Sequence, residues 1–119
     1  MKRHLISHGL WTVLAVYADE ERCDVLDLAN RLRRDDPGEY ARLLRAFERL
    51  SASGPPRNVR RSRALAHGIF ELKTSGGTRV LYFFDEGCVV VCSEALPKPK
   101  QRGLALAIER AALRIVEDQ

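Results

Sequence analysis

The chain has 119 residues, of which 45% are hydrophobic and 30% are charged, and its formal net charge is +4. This length accommodates one domain with a modest core, and the composition is that of an ordinary globular protein. The apolar stretch Leu10–Ala18 is too short to span a membrane and lacks a signal-peptide cleavage site, so we expect a cytoplasmic protein without a membrane partner.

The N-terminal part of the chain contains one predicted strand. Met1–Gly9 is polar and is expected to be a flexible or edge segment. Its histidines, His4 and His8, have neither a helix signal nor a third ligand beside them, so they indicate no metal site. Trp11–Tyr17 is apolar and β-rich, and this pattern predicts a strand of the sheet.

Two helices are expected next. Asp24 is a candidate cap for the first helix. Asp36-Pro37-Gly38-Glu39 is a stronger start signal, since an Asp cap, a Pro at the first helical position and a Glu at the third satisfy the exposed amides together. The polar turn between the helices predicts an antiparallel helical hairpin. The apolar stripes are Val25, Leu28, Ala29 and Leu32, then Tyr40, Leu43, Leu44, Phe47 and Leu50.

The densest β-forming residues follow the helices. Arg57–Ala66 is basic and is expected to be irregular or an edge strand. Beyond it, Ser75-Gly76-Gly77 and Asp85-Glu86-Gly87 are turn signals that separate three runs of branched and aromatic residues. These runs predict an antiparallel meander. Its strands are Ile69–Thr74, Thr78–Phe84 and Cys88–Ala95.

The remaining residues complete the predicted domain. Pro97 and Pro99 end the third strand of the meander, and a final helix is expected from about Gly103 to Val116. The predicted order is β-α-α-(β)-β-β-β-α. We therefore expect a single α+β domain over residues 1–119, with a small antiparallel sheet, an N-terminal helical hairpin and a C-terminal helix. The helices are expected to pack on one side of the sheet.

The net positive charge lies in the second half of the chain. Up to Pro56 there are nine Lys and Arg against nine Asp and Glu, whereas the rest has eleven against seven. The excess precedes and follows the meander, which indicates a patch for nucleic acid or an acidic protein, or else solvated charge. Three cysteines without C-x-x-C spacing argue against a disulfide scaffold or zinc site.

Several segments of the second half occur together in one known family. They are His67–Lys73, Thr78–Phe84, Val89–Val91, Leu96-Pro97-Lys98 through Gln101-Arg102, and Ile108-Glu109-Arg110-Ala111. This series resembles the RelE/ParE toxin superfamily of bacterial toxin–antitoxin systems, and most closely its phage-derived HigB-like branch. The resemblance implies a RelE-like fold and a type II toxin that is neutralised by a cognate antitoxin, which we expect to be a helix-turn-helix protein.

The resemblance further implies a nuclease that cleaves messenger RNA on the ribosome without a metal or another cofactor. In this reaction the ribose 2′-hydroxyl attacks the adjacent phosphate, and the protein supplies cations and moves protons. Arg79 matches the strand arginine that stabilises phosphate in the family, although it could equally form a structural ion pair with Glu71. Lys98 matches a basic position after the last strand. Glu94 is a candidate base and His67 a candidate proton shuttle.

Four further cations are expected to bind RNA if they are not simply solvated. Arg61 and Arg63 precede the meander, where relatives carry basic residues, and Lys100 and Arg102 follow it. These residues precede and follow the sheet in the sequence, and together they could form a positively charged patch for a polyanion.

The chain departs from the family pattern where proton transfer is concerned. Relatives often have a histidine near Glu94 and an aromatic residue near Leu96, so no general acid is evident here. Two alternatives to the nuclease therefore stay open. One is a ParE-type inhibitor of DNA gyrase, and the other is an inactive remnant that still binds the antitoxin.

Overall fold

The computed structural model describes residues 2–58, 60–97 and 101–118, which form an α+β domain with six strands and three helices. The strands are β1 (Arg3–His8), β2 (Thr12–Val16), β3 (Ser62–Ala64), β4 (Phe70–Lys73), β5 (Arg79–Asp85) and β6 (Val89–Leu96). The helices are α1 (Asp24–Asp35), α2 (Pro37–Ser53) and α3 (Gln101–Asp118). Within these ranges, no helix is both long enough and apolar enough to cross a membrane.

The sheet is mixed rather than antiparallel, with the order β1-β2-β6-β5-β4-β3. The predicted meander is confirmed, since β4 pairs with β5 and β5 with β6 in antiparallel register. The prediction of an antiparallel sheet is wrong at β2, which pairs with β6 in parallel. No hairpin joins these two strands, because both helices and three strands lie between them in the chain, and such a crossover permits parallel pairing.

Both edges of the sheet are short or polar strands. At one edge, β1 pairs with β2 and adds a strand that the predicted order lacks. Its sequence is polar because an edge strand has little core to contact, so the usual apolar alternation is weak. At the other edge, the three-residue β3 pairs with β4 and forms within the segment where an edge strand was one expectation.

Helices cover both faces of the sheet, and the expectation that they lie on one side is wrong. Residues of α1 and α2 pack on one face against Val80, Tyr82 and Val90, whereas α3 packs on the other against Leu81. The reason is visible in β5, whose uninterrupted apolar run places hydrophobic side chains on both faces, and both faces then need cover. Only Asp36 separates α1 from α2, and their antiparallel orientation stays a prediction.

Asp24 does not cap α1. The N-cap position is Cys23, which makes no side-chain hydrogen bond to the helix. Instead, the Oδ2 atom of Asp24 accepts a hydrogen bond at 3.2 Å from the backbone N–H of Ala95, at the end of β6 that extends beyond the pairing with β2. The first residue of the helix therefore ties α1 to an otherwise open stretch of strand.

The start of α2 follows only part of the predicted capping pattern. The Asp36 carboxylate accepts the Glu39 N–H at 3.2 Å, as expected. Because the Asp36 N–H already donates to the Leu32 carbonyl at the end of α1, the Glu39 side chain is not needed there. The buried Glu39 carboxylate instead accepts hydrogen bonds from the hydroxyls of Thr74 and Thr78, beside the β4–β5 turn. Burial raises the Glu39 pKa, but these bonds outweigh it and the net pKa is lowered.

Candidate functional site

The face of the sheet that α3 covers carries charged residues on four neighbouring strands. In register, Arg63 on β3 is opposite Glu71 on β4, Glu71 is opposite Leu81 on β5, and Leu81 is opposite Glu94 on β6. Arg79 lies two residues before Leu81 and so projects from the same face. The fold therefore brings three of the predicted site residues, Arg63, Arg79 and Glu94, onto one surface.

A β-bulge in β6 gives Glu94 its position. Tyr82 is opposite Cys92 and Leu81 is opposite Glu94, so Ser93 is an extra residue on its strand. Tyr82 and Cys92 belong to the core on the α1 and α2 side. Strict alternation along β6 from Cys92 would direct Glu94 to that side as well, and the extra residue reverses it.

The Glu71 carboxylate holds two arginines at once. Arg79 Nη1 donates to Glu71 Oε2 at 2.8 Å, and Arg63 Nε donates to Glu71 Oε1 at 3.2 Å. The Glu71 side chain is only 4% exposed, while that of Arg79 is 21% exposed. The structural ion pair that the sequence offered for Arg79 is thus present. It occupies one end of the guanidinium and fixes the orientation of a group that has five N–H donors.

Glu94 is buried beside the α3 helix. The Nε of Arg110 lies 3.5 Å from Glu94 Oε2, and within the described ranges Glu94 Oε1 has no hydrogen-bond partner. Burial, followed by the nearby charge of Asp24, raises the pKa of Glu94 to about 7. The carboxyl group can therefore exchange a proton near neutral pH, but α3 covers it and leaves only 3% of Glu94 exposed. We refer to Arg63, Glu71, Arg79, Glu94 and Arg110 as the sheet-face cluster.

Arg61 lies in a different place, at a cavity of about 340 Å³ between α2 and the end of β4. We call this cavity the α2 groove. Its lining residues are Arg42, Arg45, Ala46, Arg49, Arg61, Lys73, Thr74 and Ser75. The groove adjoins the sheet-face cluster, because Lys73 is the register partner of Arg79.

The arginines of α2 were absent from the sequence-based site. The sequence signal was present, since Arg42, Arg45 and Arg49 are separated by three and then four residues and fall on one side of the helix. A basic stripe on a helix is usually a solvated face. Only the packing of α2 beside β4 brings it to Arg61 and Lys73.

His67 lies at the opposite end of the β3–β4 hairpin from Arg79. It is exposed and has a positive φ of 56° in the turn between β3 and β4. That turn precedes Phe70, whereas Arg79 is opposite Lys73 at the far end of β4. A reaction in which His67 moves a proton while Arg79 stabilises the phosphate would have to span the length of this strand.

The remaining predicted cations cannot be located in the same way. Lys98 and Lys100 lie outside the described residues. Arg102 is in the first turn of α3, but its side chain is outside the described part of the structure. Their roles stay predictions.

Tyr82 is a core residue. It is fully buried, its hydroxyl lies 2.6 Å from Ser62 Oγ, and burial raises its pKa further above the neutral range. Among residues 2–58, 60–97 and 101–118, no three His, Cys, Asp or Glu side chains are grouped so that they could hold a metal ion. The sheet face presents guanidinium groups together with the carboxyl groups of Glu71 and Glu94.

Comparison with known proteins identifies one family. The model of the family described as "Phage derived protein Gp49-like (DUF891)" matches residues 30–116. This segment includes the second half of α1, all of α2, the whole meander and most of α3. No curated protein and no solved structure matches the chain.

Proposed function

Since the match covers well over half of its length, the chain belongs to the Gp49-like family of phage-derived proteins, and we propose that it is a toxin that cleaves messenger RNA on the ribosome. The family is associated with toxin–antitoxin toxins of the RelE/ParE-like class. Within that class we assign the chain to the HigB-like branch. Its partners are then a cognate antitoxin, the ribosome and the transcript, and its place of action is the cytoplasm.

The observation that carries this proposal is the arrangement of Arg79 on β5. Its guanidinium is held at one end by the buried Glu71 carboxylate and is partly exposed at the sheet face. A guanidinium that is already oriented can bind a phosphate bidentately without a further loss of rotational freedom. Such a preorganised donor stabilises the charge that develops on a phosphate when the neighbouring 2′-hydroxyl attacks it. Arg63, on the same carboxylate, adds a second positive charge.

Glu94 is the proposed proton acceptor for the 2′-hydroxyl. As the 2′-oxygen bonds to phosphorus, the bond between phosphorus and the 5′-oxygen of the next nucleotide breaks, and that oxygen takes a proton from water. The Glu94 pKa of about 7 makes this residue a suitable general base near neutral pH, and it lies on the strand next to Arg79. Because Arg110 of α3 contacts this carboxyl group, the proposal requires α3 to uncover Glu94 when RNA binds. His67 has no role in the proposed reaction, since it lies at the other end of β4.

The burial of Glu94 favours the alternative function, inhibition of DNA gyrase. A toxin that acts by binding alone needs no exposed base, and Glu94 is 3% exposed. In that case Arg63 and Arg79 contact an acidic protein surface instead of a phosphate, and α3 stays in place. The inactive remnant is a further alternative, for which growth inhibition would be absent.

Induced expression tests these functions directly. We expect growth to stop, and mapping of transcript 5′ ends in a translation extract to reveal new cleavages that need the ribosome. Supercoiling of plasmid DNA by gyrase should remain normal. Intact transcripts together with arrested supercoiling would support the gyrase inhibitor, and normal growth with neither effect would reject both toxin functions. Co-expression of the neighbouring antitoxin gene should restore growth.

A further inference from the structure

The cations that line the α2 groove outnumber the carboxylates that pair with them. Five of its eight lining residues are cations, four of them arginines. Among these five cations, the described part of the chain shows an ion pair for Arg42 alone, with Glu39 at 3.3 Å. In the ranges that the structure describes, no carboxylate lies within ion-pair distance of Arg45, Arg49, Arg61 or Lys73.

Glu39, the ion-pair partner of Arg42, is outside the lining of the groove and does not neutralise its other four cations. Both oxygens of Glu39 are already engaged, one by Arg42 and the other by the hydroxyls of Thr74 and Thr78. Four unpaired cations around one cavity repel one another, and this repulsion is relieved when an anion enters. The groove therefore favours a multiply charged anionic ligand over water.

The geometry of the groove suits a chain of anions. Arg42 and Arg49 are seven residues apart on one helix, which corresponds to about 10 Å along its axis. Arg61 and Lys73 face them from the sheet side. Arginine forks bind phosphate oxygens in pairs, and the exposed Ser75 at the rim adds a hydroxyl donor.

We propose that the α2 groove is a binding site for the phosphate backbone of single-stranded RNA, separate from the sheet-face cluster but continuous with it. The choice of RNA rests on the proposed function, and the continuity rests on Lys73, which lines the groove and is the register partner of Arg79. A strand held in the groove passes round the end of β4, at Lys73, to reach the guanidinium that would contact the reacting phosphate on the other face of the sheet. The groove thus provides affinity, and the cluster provides the chemistry.

Binding of a short fluorescein-labelled RNA with 2′-O-methyl riboses tests this site without any cleavage. The test variant is Arg45→Gln with Arg49→Gln, which removes two exposed charges that have no ion-pair partner in the described ranges. The matched control is Arg31→Gln with Arg33→Gln, which makes the same change of charge on exposed positions of α1. Circular dichroism and urea unfolding should show all three proteins equally folded.

We expect the groove variant to bind RNA about tenfold more weakly at moderate salt, and the slope of log affinity against log salt to fall by about 1.4, since each lost phosphate contact contributes about 0.7. The control should stay within about twofold of the original protein. Equal weakening of both variants would overturn the site, since it would reduce the effect to net charge. Displacement of the RNA by poly-glutamate at equal charge concentration would overturn it in favour of an acidic protein.

The RNA-binding assay tests the groove independently of the proposed nuclease activity. Because the assay needs no ribosome and no cleavage, a groove-dependent loss of RNA binding would stand even if no transcript were cut. Conversely, transcript cleavage with unchanged RNA binding in the groove variant would reject the groove and leave the nuclease.

Discussion

The sheet-face cluster and the α2 groove both display arginines, but they balance the charge in opposite ways. In the cluster, Arg63 and Arg79 share the buried Glu71 carboxylate, and Arg110 lies beside Glu94. In the groove, a single ion pair accompanies five cations within the described part of the chain. Ion pairs therefore fix the orientation of the arginines in the cluster. Most of the arginines in the groove have no ion-pair partner within the described residues.

This difference suggests a division of labour. A guanidinium that is anchored by a carboxylate keeps its charge, but the carboxylate lowers the positive potential around it. In return the guanidinium gains a defined direction, which matters where one phosphate must be held in a reactive geometry. Unpaired arginines attract a polyanion over a distance and release counterions when it binds, with little demand on geometry. Substitutions in the two regions should therefore differ both in the property they change and in the size of the change.

Replacement of Arg79 by alanine should have the largest effect. Loss of one preorganised donor to a developing negative charge typically lowers the rate by about 100-fold to 1,000-fold. Transcript cleavage in a translation extract should fall by this amount and growth inhibition should disappear. The protein should still fold and bind its antitoxin, because Arg63 continues to pair with Glu71. Arg33→Ala on α1 is the control, and undiminished toxicity of Arg79→Ala would remove Arg79 from the site.

The buried Glu94 carboxyl predicts a specific pH dependence of stability. Its pKa is raised from 4.5 to about 7, so between these values the folded protein holds a proton that the unfolded chain releases. Stability should therefore fall as the pH rises through this window, by up to about 3 kcal/mol, and level off above it. Glu94→Gln should lack this decline.

The measurement is urea unfolding at several pH values for both proteins, with the difference between them assigned to Glu94. Identical pH profiles would mean that Glu94 is not held in its neutral form beside Asp24 and Arg110.

The turn that supports the groove should tolerate no side chain at Gly76. A Cβ atom there would lie 2.6 Å from Cδ and 2.7 Å from Oε2 of Glu39, so the carboxylate would have to leave Thr74 and Thr78. We expect Gly76→Ala to lower the free energy of unfolding by about 2 kcal/mol. Gly103→Ala in α3 is the control, since a Cβ there meets nothing within 4 Å and should raise stability by about 0.5 kcal/mol. Equal stability of the two variants would contradict the described packing.

The smallest effect is expected for the one ion pair of the groove. Arg42 is 47% exposed, and Glu39 keeps its hydrogen bonds to Thr74 and Thr78 without it. Arg42→Gln should therefore change the free energy of unfolding by less than about 1 kcal/mol. A loss above about 2 kcal/mol in urea unfolding, with Arg45→Gln unchanged, would mean that the groove has a structural ion pair like that of the cluster.

The sequence predicted the meander because its evidence is local. The apolar run of β5 and the glycine turns on either side identify the strands and their pairing. The same run could have predicted the second layer, since a strand that is apolar on both faces needs cover on both. The parallel pairing of β2 with β6 depends on a crossover of more than seventy residues, and no local pattern encodes its direction.

The same distinction between local and long-range contacts applies to the candidate site. The pairing of Arg79 with Glu71 could be anticipated because the two lie across one hairpin. The second partner, Arg63, depends on the register of the short edge strand β3, and the orientation of Glu94 depends on a bulge that breaks the alternation of β6. The α2 groove required the approach of a helix to a distant strand end. The helical periodicity could identify the arginines of α2, but it could not show that Arg61 and Lys73 lie opposite them.

The most direct test of this division of labour measures ribosome-dependent cleavage and RNA binding in the same two variants. Arg79→Ala should lose cleavage while it retains most of its affinity for the 2′-O-methyl RNA, and Arg45→Gln with Arg49→Gln should lose affinity while cleavage recovers at high protein concentration. If both variants lost cleavage and affinity in parallel, the cluster and the groove would form one undivided surface, and the proposed division of labour would be wrong.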